Sequence, residues 1–224
     1  VNYAGNYPGA VEGELWYDST NKDFKYGYAN ITAAGSWRTG NNMNSGKTQV
    51  AGSITGTQTA TIAFGGKDPP GSVQAINESY NGTNWTEVND LNTARSGSAA
   101  GGTSTSTINF GGYDGSNNTA ATEKWNGTNW TSVNSMNTAR RELAGSGTYT
   151  SLIAFGGSPT PAPSSHSNLT ELWNGTNWAT GQGNLNTARY YLGGSGTATA
   201  GLAFGGQPSE TATEEFTGAG QPIG

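Results

Sequence analysis

One short pattern, repeated four times at an almost constant interval, constrains this chain more than any other feature. Phe-Gly-Gly occurs at Phe64-Gly65-Gly66, Phe110-Gly111-Gly112, Phe155-Gly156-Gly157 and Phe204-Gly205-Gly206, with spacings of 46, 45 and 49 residues. Asn-Gly-Thr-Asn-Trp ends at Trp85, Trp130 and Trp178, spaced 45 and 48, and Ser36-Trp37 stands a further 48 residues upstream as a degenerate fourth copy. Asn-Thr-Ala-Arg ends at Arg95, Arg140 and Arg189, with Asn44-Ser45-Gly46-Lys47 in the corresponding place. Landmarks in fixed order at one period mark a repeat architecture, in which each unit buries its apolar face against its neighbours.

Each unit reads as four short strands. Small residues follow the Arg (Ser96-Gly97-Ser98-Ala99-Ala100-Gly101), and then comes an alternating strand closed by Gly-Gly (Thr105-Ser106-Thr107-Ile108-Asn109-Phe110). A variable loop leads to Thr122-Glu123-Lys124-Trp125, and Asn126-Gly127 turns the chain into a last strand from Trp130. Period-two alternation bounded by Gly and Asn is the strand signature, and Asn-Gly is a strong hairpin signal. No useful window has helical periodicity. Composition agrees: Gly is 36 of 224 residues and charged residues are 11%, so the chain is polar without being charged and rich in poor helix formers. Seven Trp, 10 Tyr and 6 Phe argue against disorder, which is typically poor in aromatics. The expected fold class is all-β. Four strands per 45 to 50 residues is the period of a β-propeller blade, with the small-residue strand innermost and the aromatics between blade faces. Burying one such aromatic stabilises by roughly 1.5–3 kcal/mol.

The units resemble kelch repeats, as in the central domain of galactose oxidase. Gly111-Gly112, Trp125, Trp130, Met136 and Arg140, then Gly156-Gly157, Trp173, Trp178, Leu185 and Arg189, follow the kelch order over roughly residues 36 to 217. The Asn-Gly-Thr-Asn before each Trp departs from it, because kelch blades usually carry Tyr-Asp and a longer turn. The resemblance implies four kelch-like four-stranded blades and leaves function open, since one fold hosts many activities.

Innermost strands are expected near 47–54, 95–101, 140–146 and 189–195. The last unit stops after its third strand, Thr213-Glu214-Glu215-Phe216, while Ser36-Trp37-Arg38-Thr39 is an orphan fourth strand. The expectation is that this N-terminal strand completes the last blade and seals both open edges. The competing reading is a piece of a larger propeller or of an oligomer. Residues 36–224 then form the propeller and 1–35 an extension. Within it, Gly13-Glu14-Leu15-Trp16-Tyr17-Asp18 and Asp23-Phe24-Lys25-Tyr26-Gly27-Tyr28 read as a hairpin around Ser19-Thr20-Asn21-Lys22. The stretch from Pro8 to Tyr26 resembles hairpin modules of bacteriophage tail-fibre and other virion proteins. The opening Val1-Asn2-Tyr3-Ala4-Gly5 reads as no secretory leader and suits a processed or fragmentary product.

Composition removes much chemistry. Zero Cys excludes thiol nucleophiles and thiolate metal sites, and a single His, His166, excludes His-rich clusters. The galactose-oxidase resemblance implies a copper site built on a Cys–Tyr cross-link and two His, which these residues do not supply. Sialidase-like propellers need an Arg triad, and Arg here belongs mostly to the repeat. A net charge of −5 speaks against nucleic acid, and no apolar run is long enough to insert in a membrane. No cofactor and no metal are expected, and an enzyme is the least favoured class.

Residues present in every unit read as structural: Trp37, Trp85, Trp130 and Trp178; Arg95, Arg140 and Arg189; Glu123, Glu171 and Glu214, with Glu78 in register. A buried Glu–Arg pair in each blade is the expected arrangement. The alternative is a ring of equivalent sugar sites, with Asn-Thr-Ala-Arg supplying polar contacts. Ligand-binding candidates lie where the units disagree: Tyr113 and Asp114 after one Gly-Gly, His166 in the longest such loop, and Arg141, Glu142, Tyr190 and Tyr191 just after the repeated Arg. Aromatic, carboxylate and amide groups together suit sugar, rings stacking on pyranose faces while polar groups read hydroxyls. The expected function is a carbohydrate- or receptor-binding adhesin, lectin-like, on a phage tail, virion or other extracellular surface. Its partner would be a glycan or host-surface receptor. The alternative is a structural virion component, a decoration or spacer docking other subunits.

Overall fold

The computed structural model describes residues 2–3, 15–26, 37–160, 165–180 and 183–218, and among them the fold is all-β with no helix. The chain divides into two compact units, Val1–Thr39 and Gly40–Gly224.

In the first unit, β1 (Asn2–Tyr3), β2 (Leu15–Asp18) and β3 (Asp23–Tyr26) form one sheet in that order. Strands β2 and β3 are the expected hairpin, with Asp18 opposite Asp23. Asp18 Oδ1 shapes the turn by accepting the Thr20 N–H at 2.9 Å. The ends expected at Gly13, Glu14, Gly27 and Tyr28 lie outside the described residues. The parallel pairing of β1 with β2 was not foreseen, because two residues carry no readable period.

The second unit holds four consecutive antiparallel meanders, one per sequence repeat. Repeat 1 is β4 (Ala51–Gly52), β5 (Thr61–Phe64), β6 (Asn77–Tyr80) and β7 (Trp85–Val88). Repeat 2 is β8 (Ala99–Thr103), β9 (Ser106–Phe110), β10 (Thr122–Trp125) and β11 (Trp130–Val133). Repeat 3 is β12 (Ala144–Gly147), β13 (Leu152–Phe155), β14 (Thr170–Trp173) and β15 (Trp178–Thr180). Repeat 4 is β16 (Gly193–Gly196), β17 (Ala200–Phe204) and β18 (Thr213–Thr217). The turn before each outer strand is built by its Asn: Asn126 Oδ1 accepts the N–H groups of Thr128 and Asn129 at 2.9 and 2.8 Å.

The first strands lie side by side, β8 between β4 and β12, and β12 against β16. They begin about four residues later than expected, because the residues after each Arg make single bridges to the loop after Gly-Gly instead of a continuous ladder: Thr48 to Lys67, Ser96 to Tyr113, Arg141 to Ser158 and Tyr190 to Gln207. Small residues let neighbouring sheets approach. A Cβ on Gly145 would stand 2.8 Å from Phe110 Cζ, and one on Gly194 would stand 2.9 Å from Phe155 Cζ. Three apolar clusters fill the seams, centred on Phe64 with Trp130, Phe110 with Trp178, and Phe155 with Leu192.

The closing strand expected at residues 36–39 is not among the described strands. Trp37, Arg38 and Thr39 lie in no strand, and Trp37 is fully exposed; Ser36 lies outside the described residues. Among the described residues the fourth sheet has three strands.

Candidate functional site

The residues common to all repeats serve the sheets. Glu171, at the second position of β14, is fully buried and held by the loop of the repeated Asn-Thr-Ala-Arg. Its Oε2 accepts the Asn137 N–H at 2.7 Å and Asn137 Nδ2 at 3.0 Å; its Oε1 accepts the Thr138 N–H at 3.3 Å and Arg140 Nη2 at 3.0 Å. Arg140 Nη1 reaches two carbonyls, Gly156 O and Leu169 O, each at 2.8 Å. Arg95 pairs with Glu123, and Arg189 with Glu214, in the same arrangement. Burial lowers the guanidinium pKa of Arg95 and Arg140, and the carboxylates opposite work against that shift.

In repeat 1, Lys47 takes the Arg position, 3.2 Å from Glu78. Burial acts to raise the Glu78 carboxyl, but the Asn44 N–H and the Lys47 ammonium outweigh it and hold the group below its ordinary value. The polar groups of this motif therefore face inward onto a carboxylate, and they are not available as four equivalent sugar contacts.

The positions that differ between repeats meet at one place. Two residues after each Arg or Lys stand Gln49, Gly97, Glu142 and Tyr191, all with positive φ, at 51°, 59°, 52° and 55°. Their backbones join across the repeats. The Tyr191 N–H donates to Glu142 O at 2.9 Å, the Glu142 N–H to Gly97 O at 2.7 Å, and the Gly97 N–H to Gln49 O at 3.2 Å. These four residues and those that follow them line a depression of about 230 Å³ open to solvent.

Glu142 is its chemical centre. Gln49 Nε2 donates to its Oε1 at 3.0 Å. The missing side chain of Gly97 makes room for this carboxylate. Burial holds the Glu142 carboxyl above its ordinary range, against the pull of Arg141 and Lys67. Burial also raises the Tyr191 phenol, and the negative charge on Glu142 adds to that.

No protein-family model matches this chain, and no curated protein matches it. Geometry carries the assignment.

The remaining candidates extend from this depression. Arg141 and Lys67 lie over the Tyr113 ring at 5.2 and 5.5 Å, and the Tyr113 hydroxyl donates to Gly115 O at 2.8 Å. The Tyr190 ring lies between those of Tyr191 and His166, with centroids at 4.8 and 5.0 Å and planes tilted by 40°, and its hydroxyl bonds Gln207 Oε1 at 2.9 Å. Asp114 is different: its Oδ1 accepts the N–H groups of Ser116 and Asn117 at 2.8 and 2.7 Å, so it shapes its own loop. Those bonds hold its carboxyl below the ordinary value.

Sequence reasoning missed Gln49 as a site residue. The signal was present, because Gln49 stands two residues after Lys47 as Glu142 stands two after Arg140. Among the described residues no group of three or more His, Asp or Glu side chains is placed to hold a metal ion. Chemically, the site offers a half-buried carboxylate, an amide, two cationic side chains and several phenol rings within one rim.

Proposed function

We propose that the four meanders are the kelch-like blades of a four-bladed β-propeller sealed by residues 36–39, and that the chain is a non-enzymatic binding protein. It takes carbohydrate at the mouth where the blades meet, as an adhesin of a phage tail or another extracellular surface. The observation that carries this reading is the convergence of Gln49, Glu142 and Tyr191, one from each of three repeats, around a solvent-open depression. Glu142 and Gln49 supply acceptor and donor groups for sugar hydroxyls, and the half-exposed ring of Tyr191 supplies a stacking face.

A glycan array on the purified full chain tests it. Saturable binding to a related set of glycans, weakened by Glu142→Ala and by Tyr191→Ala, supports the reading. A blank from folded protein sinks it.

A second reading, a virion component that docks protein subunits, draws on the first unit. Leu15 and Phe24 are 57% and 69% exposed, and Phe24 packs at 5.2 Å on Tyr17 across the hairpin. That pairing gathers exposed apolar area on one face, which suits a protein partner better than a sugar. Loss of association with other subunits in Phe24→Ser would favour it.

A further inference from the structure

Positive charge is scarce in this chain, and its placement is selective. The second unit holds seven Lys and Arg residues. Lys47, Arg95, Arg140 and Arg189 are paired with the Glu of each repeat. Lys67, Lys124 and Arg141 remain. Lys124 lies over the Tyr149 ring at 4.0 Å and donates to Gly175 O at 3.3 Å. Those partners stand in the turns between β12 and β13 and between β14 and β15, at the end of the meander away from the Gly-Gly loops.

The other two cations converge. Lys67 belongs to repeat 1, Arg141 stands at the start of repeat 3, and both lie over the ring of Tyr113 in repeat 2, at 5.5 and 5.2 Å. The same kind of bridge places all three, joining Thr48 to Lys67, Ser96 to Tyr113 and Arg141 to Ser158. A ring face attracts one cation by about 0.5–1 kcal/mol at an exposed site. A second cation on the same ring is repelled by the first. The pair is therefore a positive patch that an anion stabilises.

The carboxylates beside them in sequence do not fill that role. Asp68, next to Lys67, turns into its own loop: its Oδ1 accepts the N–H groups of Gly71 and Ser72 at 3.0 and 2.7 Å, and its Oδ2 accepts Gln74 Nε2 at 3.0 Å. Asp114, next to Tyr113, caps its loop in the same way. Lys67 is in no ion pair among the described residues. Glu142 does feel both cations, from its place in the depression beside Gln49. Two cations thus stand against one carboxylate, a local excess of one positive charge in a chain of net charge −5. The opposite side of the depression carries rings, with Tyr191, Tyr190 and His166 in a row.

We propose that this rim selects an acidic saccharide, a pyranose bearing a carboxylate or a sulfate. Lys67 and Arg141 hold the anion beside Tyr113, the hydroxyls meet Glu142 and Gln49, and the sugar face rests on Tyr191. This rests on the carbohydrate reading above and names the class of sugar. The division of labour follows from the groups themselves. Ammonium and guanidinium bind oxyanions through charge-assisted hydrogen bonds, the guanidinium in bidentate fashion. An ionised carboxylate only accepts, so Glu142 takes hydroxyl donors and turns an anion away. The anion is directed to one side of the site and the hydroxyls to its centre, which sets orientation as well as class.

The full chain is read against uronate-, sialate- and sulfate-bearing glycans, each beside its carboxyl-reduced or desulfated neutral counterpart. The acidic member of a pair is expected to bind about tenfold tighter or more. The reduced and desulfated arms tell which anion is held. Lys67→Gln is expected to lose about tenfold in affinity for the acidic member, and Lys67→Arg to recover it. Lys124→Gln removes the same charge at the other end of the meander and is expected to leave binding unchanged. Circular dichroism confirms that each variant is folded. The unmodified chain gives an independent reading: its affinity for the acidic member is expected to fall as salt is raised, since the screening length shortens from about 10 Å at 0.1 M to about 3 Å at 1 M.

Neutral glycans bound as tightly as their acidic partners, or an affinity indifferent to salt and to Lys67→Gln, overturn the acidic assignment and leave the sugar reading standing. Polyglutamate bound as tightly as the acidic glycans shows that charge alone is recognised and overturns the saccharide. A blank across the array from folded protein removes the sugar reading and this inference with it.

Discussion

Phe110 of one repeat and Trp178 of the next pack with ring centroids 5.1 Å apart and planes inclined by 59°. Both rings are buried, and the indole N–H is satisfied by Thr122 on the Phe110 side of the seam. One side chain thus joins two sheets by dispersion and by a directional bond. Trp178→Ala is expected to destabilise the protein by about 3–5 kcal/mol, read from urea denaturation midpoints. A loss below about 1 kcal/mol would show that the seam does not depend on this contact.

Arg140 and Glu171 form a pair with both side chains fully buried. Removing the cation strands a carboxylate that still receives bonds from Asn137 and Thr138. Arg140→Met is therefore expected to cost about 3–5 kcal/mol. The check is its Tm beside that of Arg141→Met, which removes a cation from the rim and is expected to change little.

Lys47 reaches Glu78 and Ile76 O, the first at 3.2 Å and the second at 3.0 Å. The arginines of the later repeats also reach the carbonyl that corresponds to Gly65 O, as Arg140 reaches Gly156 O. Lys47→Arg is expected to gain that bond and to stabilise by about 1 kcal/mol. A lower Tm would mean that the first repeat cannot house the planar group.

Glu142 predicts a pH dependence of definite sign. Its carboxyl is raised by burial above the ordinary 4.5, while Arg141, Lys67 and the Tyr191 side chain pull it down. The folded protein therefore binds this proton more tightly than the unfolded chain does. The resulting stability is present below 4.5 and is lost as pH rises through the folded-state value. Glu142→Gln cannot ionise, so its stability relative to the unmodified protein is expected to improve as pH rises from 4.5. Glu78 has the opposite sign: its lowered pKa contributes stability above 4.5 that is lost as pH falls toward the folded-state value. Denaturation midpoints on either side of 4.5 check both, and an unchanged Glu142→Gln difference would refute the first.

Much of the site was visible as variation within the repeat. Arg141, Glu142, Tyr190 and Tyr191 stand out because they differ where Arg140 and Arg189 agree, and the structure places them on one rim. Asp114 also differs between repeats, yet its carboxylate is held by the amides of its own loop. Composition at a variable position does not reveal whether a side chain turns outward or caps its own turn. Gln49 was overlooked for a related reason, since a lone amide beside an imperfect Asn44-Ser45-Gly46-Lys47 motif gains meaning only from Glu142, 3.0 Å away.

By itself the sequence determined the strands, their meander order and the Glu that each Asn-Thr-Ala-Arg loop encloses. These depend on alternation, on Asn and Gly turns, and on partners within one period. Only the tertiary structure decided which variable positions converge and that the Asn-Thr-Ala-Arg groups face inward. Those outcomes come from sheets packing on sheets. The contacts join residues one to three periods apart, such as Gln49 and Glu142, and no local preference encodes them.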